Sequence, residues 1–473
     1  MAANEKCGVI AAYVFDERKL NDYLYQGLRG VQHRGQESFG ICVINHEING
    51  PLVYPGLIRD SHKFSEDIKN VEGTCGIGHI RYSTTGKSSI QNAQPIIITT
   101  KYGIRCSFAF NGNIVNYSEL RNLNNDYDFK TTSDTEVLAL MLMNNLGRKT
   151  LDEIYAENAL RIIGAYSAVM LIEDKKPKIA AVRDPFGIRP LCIGSNENGF
   201  FVASESVAFD DSYMGVNFLR DVMPGELVVI DEDGIHSYPI FNFKPKHCMF
   251  EYVYKARPES VIDGKFIYDV RKRMGKFLGL RYRPNAHFAG AIPDSGRSIL
   301  IGYSETSGIP VEEIFVKDRY HDKRSFLEPE DKDRKKVVGS KLNVIGKLIE
   351  GKDIVIVDDS RVRGTSGNQY AQLVKKANSV HFAFACPPII DQCPYGVDFY
   401  RSELPARRYR DRPHEEVCLS VAKDLGVTSV YHNTIDDLIS AIGLPKDELC
   451  LGCLTGIYPH ERIPERFKEM IKI

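Results

Sequence analysis

The chain has 473 residues, 26% charged and 43% hydrophobic, the mix of an ordinary soluble globular protein and not of a disordered, collagenous or coiled-coil chain. Its 61 basic and 62 acidic residues leave a net charge of −1, so no global basic field draws it onto nucleic acid or anionic lipid. No apolar run reaches the ~18–20 residues of a membrane span, and Gly8–Phe15, followed by Asp16-Glu17-Arg18-Lys19, reads as a strand and not as a signal peptide.

At ~150 residues per domain the length allows two or three domains, and the text changes character near residue 240. The first half predicts short apolar strands at Cys7–Val14, Phe39–Ile44, Gly76–Tyr82, Cys106–Phe110, Tyr166–Ile172, Ile179–Val182 and Phe200–Ala203, separated by turn residues. A helix is predicted over Lys19–Val31, with Leu20, Tyr23, Leu24, Leu28 and Val31 on one face. Another starts at Ser133, where Ser-Asp-Thr-Glu before an apolar run has the form of a capping box. Asn111-Gly112 is read as a tight turn ending a strand, and Glu226–Ile230 with Ile235–Tyr238 as a closing hairpin. Strands with interspersed helices predict an α+β sandwich.

Beyond Phe241–Lys246 the helical stretches Tyr268–Leu280, Arg297–Ser307 and Ser366–Ala377 alternate with the apolar strands Phe288–Ile292, Ile354–Val357 and Val380–Ala385. That alternation is the signature of an α/β unit around a parallel sheet. Residues 318–336 are dense in charge and lack apolar periodicity, and read as a long loop of the kind that forms lids.

Eleven cysteines, an odd number, without a secretory signal, indicate reduced thiols and a cytoplasmic protein. Cys42, Cys75, Cys106, Cys192 and Cys418 read as small core residues. Cys7 differs. Were Met1–Lys6 removed as a propeptide, the new α-amino group, with a pKa near ~7.7–8.0, would sit beside the thiol as its base. A cysteine near a chain start is by itself more often inert. The same half, however, also contains His33-Arg34-Gly35-Gln36-Glu37-Ser38, Gly78-His79-Ile80-Arg81-Tyr82-Ser83-Thr84, Asn111-Gly112-Asn113-Ile114-Val115-Asn116, Ser133-Asp134-Thr135-Glu136 and Arg183–Leu191. In this order these segments resemble the class II, or N-terminal-nucleophile, glutamine amidotransferases over roughly residues 7–240. The resemblance implies that Cys7 attacks the side-chain amide of glutamine to form a γ-glutamyl thioester, with Asn111 and the Gly112 N–H as oxyanion hole. It implies that Arg81 meets the glutamine α-carboxylate, Asp134 its α-ammonium, and that Arg34 packs around this site. For Asp134 a plain role at a helix N-terminus stays open. Arg183–Leu191 is assigned to structure and domain contact.

In the second half, Lys352–Ser366 reads as a strand, a polar turn and a helix start. It carries Asp358 and Asp359 to the carboxyl end of a sheet strand beside a helix N-terminus, which binds phosphate through its free N–H groups. The acids suit ribose hydroxyls or hydrated Mg²⁺. Continued through Arg363-Gly364-Thr365-Ser366, the segment resembles the loop of type I phosphoribosyltransferases that binds 5-phosphoribosyl 1-pyrophosphate (PRPP). With Phe250–Ser260, Pro293-Asp294-Ser295-Gly296, Lys341-Leu342-Asn343 and Pro387-Pro388-Ile389, nearly the whole chain resembles the amidophosphoribosyltransferase family. That implies an N-terminal-nucleophile sandwich over 7–240 after the propeptide 1–6, then a phosphoribosyltransferase domain over 241–473. Asp358 and Asp359 would face the ribose and Mg²⁺, Ser295 the metal and pyrophosphate side, and Arg363, Gly364, Thr365 and Ser366 the 5-phosphate. Ammonia from glutamine would displace pyrophosphate at C1, giving 5-phosphoribosylamine, through a closed path with residues 318–336 as lid. The family further implies purine nucleotides as inhibitors and a dimer or tetramer. Two departures stand out: one extra residue, with Asp for Asn, in Asp318–Phe326, and Arg361 where an aliphatic residue is usual. They leave open a different phosphorylated acceptor. A non-catalytic nucleotide sensor is disfavoured by the joint presence of Cys7, Asn111 and Arg81.

Cys450-Leu451-Gly452-Cys453 is a CxxC that, alone, could be half of a zinc site or a redox pair. In one subgroup of the family, cysteines at the places of Cys248, Cys393, Cys450 and Cys453 hold a 4Fe–4S cluster. The resemblance implies that cofactor here, with a four-cysteine zinc site as the open alternative.

Overall fold

The computed structural model describes residues 7–82, 90–317, 342–362, 365–397 and 404–461. Two antiparallel sheets form the amino-terminal part. The first has seven strands in the spatial order Asn217–Asp221, Cys192–Asn196, Gly199–Ala203, Gly8–Val14, Cys75–Arg81, Ser38–Asn45 and Glu47–Pro55. The second has six: Gly234–Pro239, Glu226–Asp231, Lys178–Arg183, Gly164–Glu173, Arg105–Ile114 and Ile96–Thr99. Strand Gly8–Val14 shows why the sheets stack. Val9, Ala11 and Tyr13 point into an apolar layer shared with Ala109, Val169, Leu171 and Val228 of the other sheet. Ile10, Ala12 and Val14 point the opposite way, onto Leu20, Leu24 and Leu28 of the helix Leu20–Gly30, as the two-residue period of a strand requires. The outer face of the second sheet is covered by the helix Asp134–Met143, whose Val137, Leu138, Met141 and Leu142 pack with Phe108, Phe110 and Met170. The result is the α+β sandwich read from the sequence, in four layers: helix, sheet, sheet, helix.

The carboxyl-terminal part is built on a parallel sheet in the order Phe288–Ala291, Asp353–Asp358, Ser379–Phe384 and Ser429–His432. Val355, Val357 and Ala383 share a core with Val270, Met274, Ile299 and Leu300 of the helices Ile267–Arg281 and Gly296–Ser307. Ile354, Ile356, Phe382 and Phe384 share another with Val417, Val421 and Leu425 of the helix His414–Leu425. Both faces are covered, hence the unbroken apolar text of these strands. The helix predicted over 366–377 is Thr365–Leu373. The predicted lid, 318–336, lies outside the described residues; the strands Phe315–Lys317 and Leu342–Val344 on either side of it pair antiparallel.

Two local expectations are corrected. Asn111-Gly112 is not a turn: both residues lie inside the strand Arg105–Ile114, Asn111 opposite Ser167 and Gly112 opposite Tyr166. Glycine is required there by close approach, since a Cβ would lie 2.0 Å from the Ala165 carbonyl oxygen. Nor does Ser133–Glu136 close a capping box. The Ser133 hydroxyl accepts from the Thr135 N–H at 3.2 Å, but the Glu136 carboxylate accepts from the Lys130 and Thr131 N–H groups at 2.9 and 2.7 Å, pinning the preceding loop instead.

Among the described residues no helix is long and apolar enough to cross a membrane. Gly112→Ala places a methyl group against backbone that has nowhere to move, and is expected to cost about 1–3 kcal/mol, read as a lower thermal unfolding midpoint. An unchanged midpoint would contradict the close approach.

Candidate functional site

Cys7 leads directly into the strand Gly8–Val14, beside Cys75–Arg81, with Gly8 opposite Ile80. The pairing brings the Cys7 thiol 3.5 Å from the Tyr82 carbonyl oxygen, to which it donates. Arg81, at the end of that neighbouring strand, is buried and ion-paired with Glu37. Its charge also reaches Asp134, at the first position of the helix Asp134–Met143. Burial pushes the Asp134 carboxyl up to about 6, opposed by the Ile114 N–H, which donates to it at 3.0 Å, and by Arg81. Asp134 therefore does more than favour a helix end: it holds the end of the strand bearing Asn111 and Gly112.

Asn111 is fully buried, and neither its amide nitrogen nor its amide oxygen has a hydrogen-bond partner among the described residues. Buried polar groups are nearly always paired, so an amide held unpaired on a rigid strand is a donor prepared for an oxygen that arrives with a ligand. The backbone agrees. Phe110 donates its N–H to the Gln94 side chain at 2.8 Å, and its carbonyl meets His79 Nε2 at 3.1 Å. Burial lowers His79 to about 3, so the ring is neutral, and a carbonyl partner fixes the proton on Nε2. Both backbone groups of Phe110 thus point away from the strand Gly164–Glu173. In an antiparallel ladder, groups two residues apart point the same way. The Gly112 N–H therefore points to the side where pairing with Ile96–Thr99 has already ended, at Ile96 opposite Phe108.

Behind the thiol lies a buried charge network. Arg34, whose charge reaches Cys7, donates through Nε to Glu205 and through a terminal nitrogen to Glu251 at 2.7 Å. Glu205 also takes His33 Nε2 at 2.8 Å, the Arg257 N–H at 3.0 Å and the Ser260 hydroxyl at 2.8 Å. Burial acts to raise the Glu205 carboxyl, but Arg34 and His33 hold it well below the usual carboxylate range. Glu251 in turn accepts from Arg189 at 3.0 Å, with Lys255 Nζ 3.7 Å away. Arg34 is thus a brace between Glu205, just after a strand of the sandwich, and Glu251, in the π-helical turn Glu251–Lys255. The predicted contact role of Arg183–Leu191 is visible in the same region: Arg183 pairs with Asp263, and Arg189 also donates to the Tyr395 carbonyl.

Asp358 and Asp359 stand at the carboxyl end of the parallel strand Asp353–Asp358, both buried. Ser295, just before the helix Gly296–Ser307, makes no cap hydrogen bond to it and instead turns its hydroxyl to Asp359, so three of the predicted acceptor-site residues come together. Burial and the neighbouring Asp359 charge push Asp358 far up; burial also raises Asp359, opposed by Ser295, Ser360 and Arg271. Arg363 and Gly364 lie outside the described residues, and Thr365 and Ser366 begin the helix Thr365–Leu373. Among the described residues no three His, Cys, Asp or Glu side chains are gathered for a metal ion. Mg²⁺ needs only one or two carboxylates where substrate phosphates complete its shell.

Cys248, Cys393, Cys450 and Cys453 are all buried. Cys248 and Cys450 are paired in register between two short parallel strands, and the Cys453 carbonyl accepts from the Ile390 and Asp391 N–H groups at 3.0 Å each. Burial raises the Cys248, Cys450 and Cys453 thiols, and the neighbouring Cys393 raises all three further. Lys255 and Arg189 bring positive charge to Cys248, and Lys255 Nζ, itself buried, has no hydrogen-bond partner among the described residues.

The comparisons with known proteins decide the family. A model of the glutamine amidotransferase domain matches residues 65–265. The chain is 38% identical over 478 residues to the amidophosphoribosyltransferase of Methanocaldococcus jannaschii, covering 96% of this chain and 98% of that protein. It is 37% identical over 466 residues to that of Archaeoglobus fulgidus, with the same coverage of 96% and 98%. Glutamine PRPP amidotransferase from Bacillus subtilis, solved in complex with ADP and GMP, matches with a TM-score of 0.85 at 32% identity, covering 97% of this chain and 100% of that one. The chain belongs to the amidophosphoribosyltransferase family. It is accordingly a glutamine-dependent glycosyltransferase of purine biosynthesis.

Four residues received no role from the sequence: Glu37 and Glu251, present in the segments His33–Ser38 and Phe250–Ser260, and Glu205 and Arg271. Arg271, on the helix Ile267–Arg281, donates to the Tyr252 and Ala256 carbonyls at 3.1 and 2.7 Å and faces Asp359. Signals existed for two of them. Glu205 follows an apolar strand between two serines, and Glu251 is a lone acid in Met249-Phe250-Glu251-Tyr252-Val253. Glu251→Ala leaves Arg34, Arg189 and Lys255 without their shared counter-charge, and is expected to destabilise the protein by about 3–5 kcal/mol. Thermal unfolding measures this; a midpoint equal to wild type would contradict the network.

Proposed function

We propose that this chain transfers ammonia from glutamine to C1 of PRPP, yielding 5-phosphoribosylamine, pyrophosphate and glutamate, with Cys7 as nucleophile once Met1–Lys6 is removed. The observation that carries the glutaminase assignment is the buried, unpaired Asn111 amide on the strand that also carries the outward Gly112 N–H. The Cys7 sulfur adds to the amide carbon of glutamine as its own α-amino group takes the thiol proton. The oxyanion that develops meets Asn111 Nδ2 and the Gly112 N–H. The α-ammonium of Cys7 returns the proton to the leaving nitrogen, ammonia departs, and water hydrolyses the thioester to glutamate. Arg81 and Asp134 hold the carboxylate and ammonium of the substrate, and Arg34 holds the thiol's surroundings.

On the acceptor side Asp358 and Asp359 would face the ribose hydroxyls and Mg²⁺, Ser295 the metal and pyrophosphate side, and Arg363, Gly364, Thr365 and Ser366 the 5-phosphate. Mg²⁺, when bound, supplies charge neutralisation at the departing pyrophosphate. Cys248, Cys393, Cys450 and Cys453, all buried, would be the ligands of a 4Fe–4S cluster, for which the thiols would have to draw closer than in the described geometry, where no three such side chains are gathered. The cluster would serve stability. Purine nucleotides as regulators, a homo-oligomer and a cytoplasmic location complete this reading; the Bacillus subtilis enzyme was solved with ADP and GMP.

Three outcomes test it. Cys7→Ala is expected to abolish pyrophosphate release with glutamine and retain it with ammonium salts, whereas equal loss with both donors would remove Cys7 from the glutaminase step. Asn111→Ala should lower kcat with glutamine by about 10²–10³ with little change in KM. The Asp134 carboxyl, raised to about 6, gains a proton as the pH falls through that value and loses its hold on an ammonium. The KM for glutamine should therefore climb below pH 6 in wild type and stay flat, though high, in Asp134→Asn; parallel profiles would refute the assignment.

A further inference from the structure

The turn after the acid pair contains a buried cation that the reaction as described does not use. Arg361 is 8% exposed. The groups that act on it are Asp424, Tyr409 and Arg408, and not the acid pair. Among the described residues its ion pair is a loose one, 3.9 Å to Asp424 on the helix His414–Leu425, and its Nε has no partner there. Asp424 is itself fixed, by the Tyr409 hydroxyl at 3.0 Å and by Arg408. The Arg361 side chain lies beneath the first turn of the helix Thr365–Leu373: a Cβ placed on Gly367 would be 4.0 Å from Arg361 Nε and 3.0 Å from Leu425 Cδ2. An apolar side chain of similar volume would fill this space without the desolvation cost of a charge. What a guanidinium adds is a directed tether.

We propose that Arg361 is a positioning residue for the acceptor. Together with Asp424 it ties the turn following Asp358 and Asp359 to the helix His414–Leu425, and so holds the two carboxylates where the ribose of PRPP meets them. The inference rests on the assignment of Asp358 and Asp359 to PRPP, and goes beyond it by naming what aims them.

Initial rates at varied PRPP, with ammonium salt as nitrogen donor so that the glutaminase step plays no part, test the proposal in R361M, R361K, D424N and the double variant R361M/D424N. R361M and D424N are each expected to raise the KM for PRPP about tenfold, with kcat within about twofold of wild type. R361K should recover most of the loss, and the double variant should be no worse than either single one, because the pair acts as a unit. An unchanged KM in R361M and D424N would overturn the proposal, as would parallel losses in kcat and KM that add in the double variant. R361K and D424N keep the test open if R361M does not fold. D359N separates the two layers: a D359N enzyme that handles PRPP normally refutes the acid-pair assignment itself. Impaired D359N beside normal R361M and D424N refutes only the role of Arg361.

Discussion

The structure depends on the burial of two carboxylates, Glu205 and Glu251, against one guanidinium, Arg34. Each charge costs several kcal/mol to remove from water, and the cost is recovered only if every partner stands in place. Glu205 comes just after a strand of the sandwich; Glu251 lies in the short π-helical turn that precedes the parallel-sheet part. Arg34 can satisfy both only when the two parts meet in one relative placement. The Arg257 N–H and the Ser260 hydroxyl, both on Glu205, and Arg189, on Glu251, add further conditions. Because Arg34 also lies beside Cys7, the proposed nucleophile sits against the same contacts that join the two parts.

That arrangement suits the chemistry. Ammonia freed in water would take up a proton and cease to be a nucleophile, so the place where it forms must communicate with the acceptor through protein and not through solvent. The apolar core is continuous across the junction: Ala165 and Ile188 of the sandwich share it with Met249, Phe250, Tyr252 and Val253. Asn113, one residue beyond Gly112, donates to the Pro394 carbonyl at 2.9 Å, so the strand bearing Asn111 and Gly112 abuts the segment bearing Cys393. Arg271 completes the connection from the far side, binding the backbone of residues 252 and 256 while facing Asp359.

Much of this was legible in the chain, and the exceptions have physical causes. Central strands such as Gly8–Val14 and Asp353–Asp358 are buried on both faces, so their apolar text stands out whatever their neighbours. Edge strands such as Asn217–Asp221 are half exposed, with Phe218 and Leu219 in solvent, and have no such signature. Asn111-Gly112 misleads because its local preference for a turn is overridden by a ten-residue strand partner, Gly164–Glu173, that leaves no room for a side chain at Gly112. The ordered motifs of the glutaminase half pointed to the family that the comparisons show, because that chemistry needs particular residue types in a particular order; the roles of Cys7, Arg81, Asn111 and Asp134 stay proposals. Arg271 left no mark, and Glu205 and Glu251 were visible only as isolated acids: what makes a buried charge significant is its partners, and those of the two acids, Lys255 apart, lie about 50 to 220 residues away in the chain.

The most direct test of the coupling between the two reaction centres is to quantify glutamate and pyrophosphate in the same reaction, with glutamine, PRPP and Mg²⁺, on protein purified without air. Joined centres predict equal amounts of the two products throughout the time course. Glutamate formed in clear excess over pyrophosphate would mean that ammonia escapes before it meets the acceptor. Glutamate formed with no pyrophosphate at all would leave a working glutaminase whose nitrogen goes to some other acceptor.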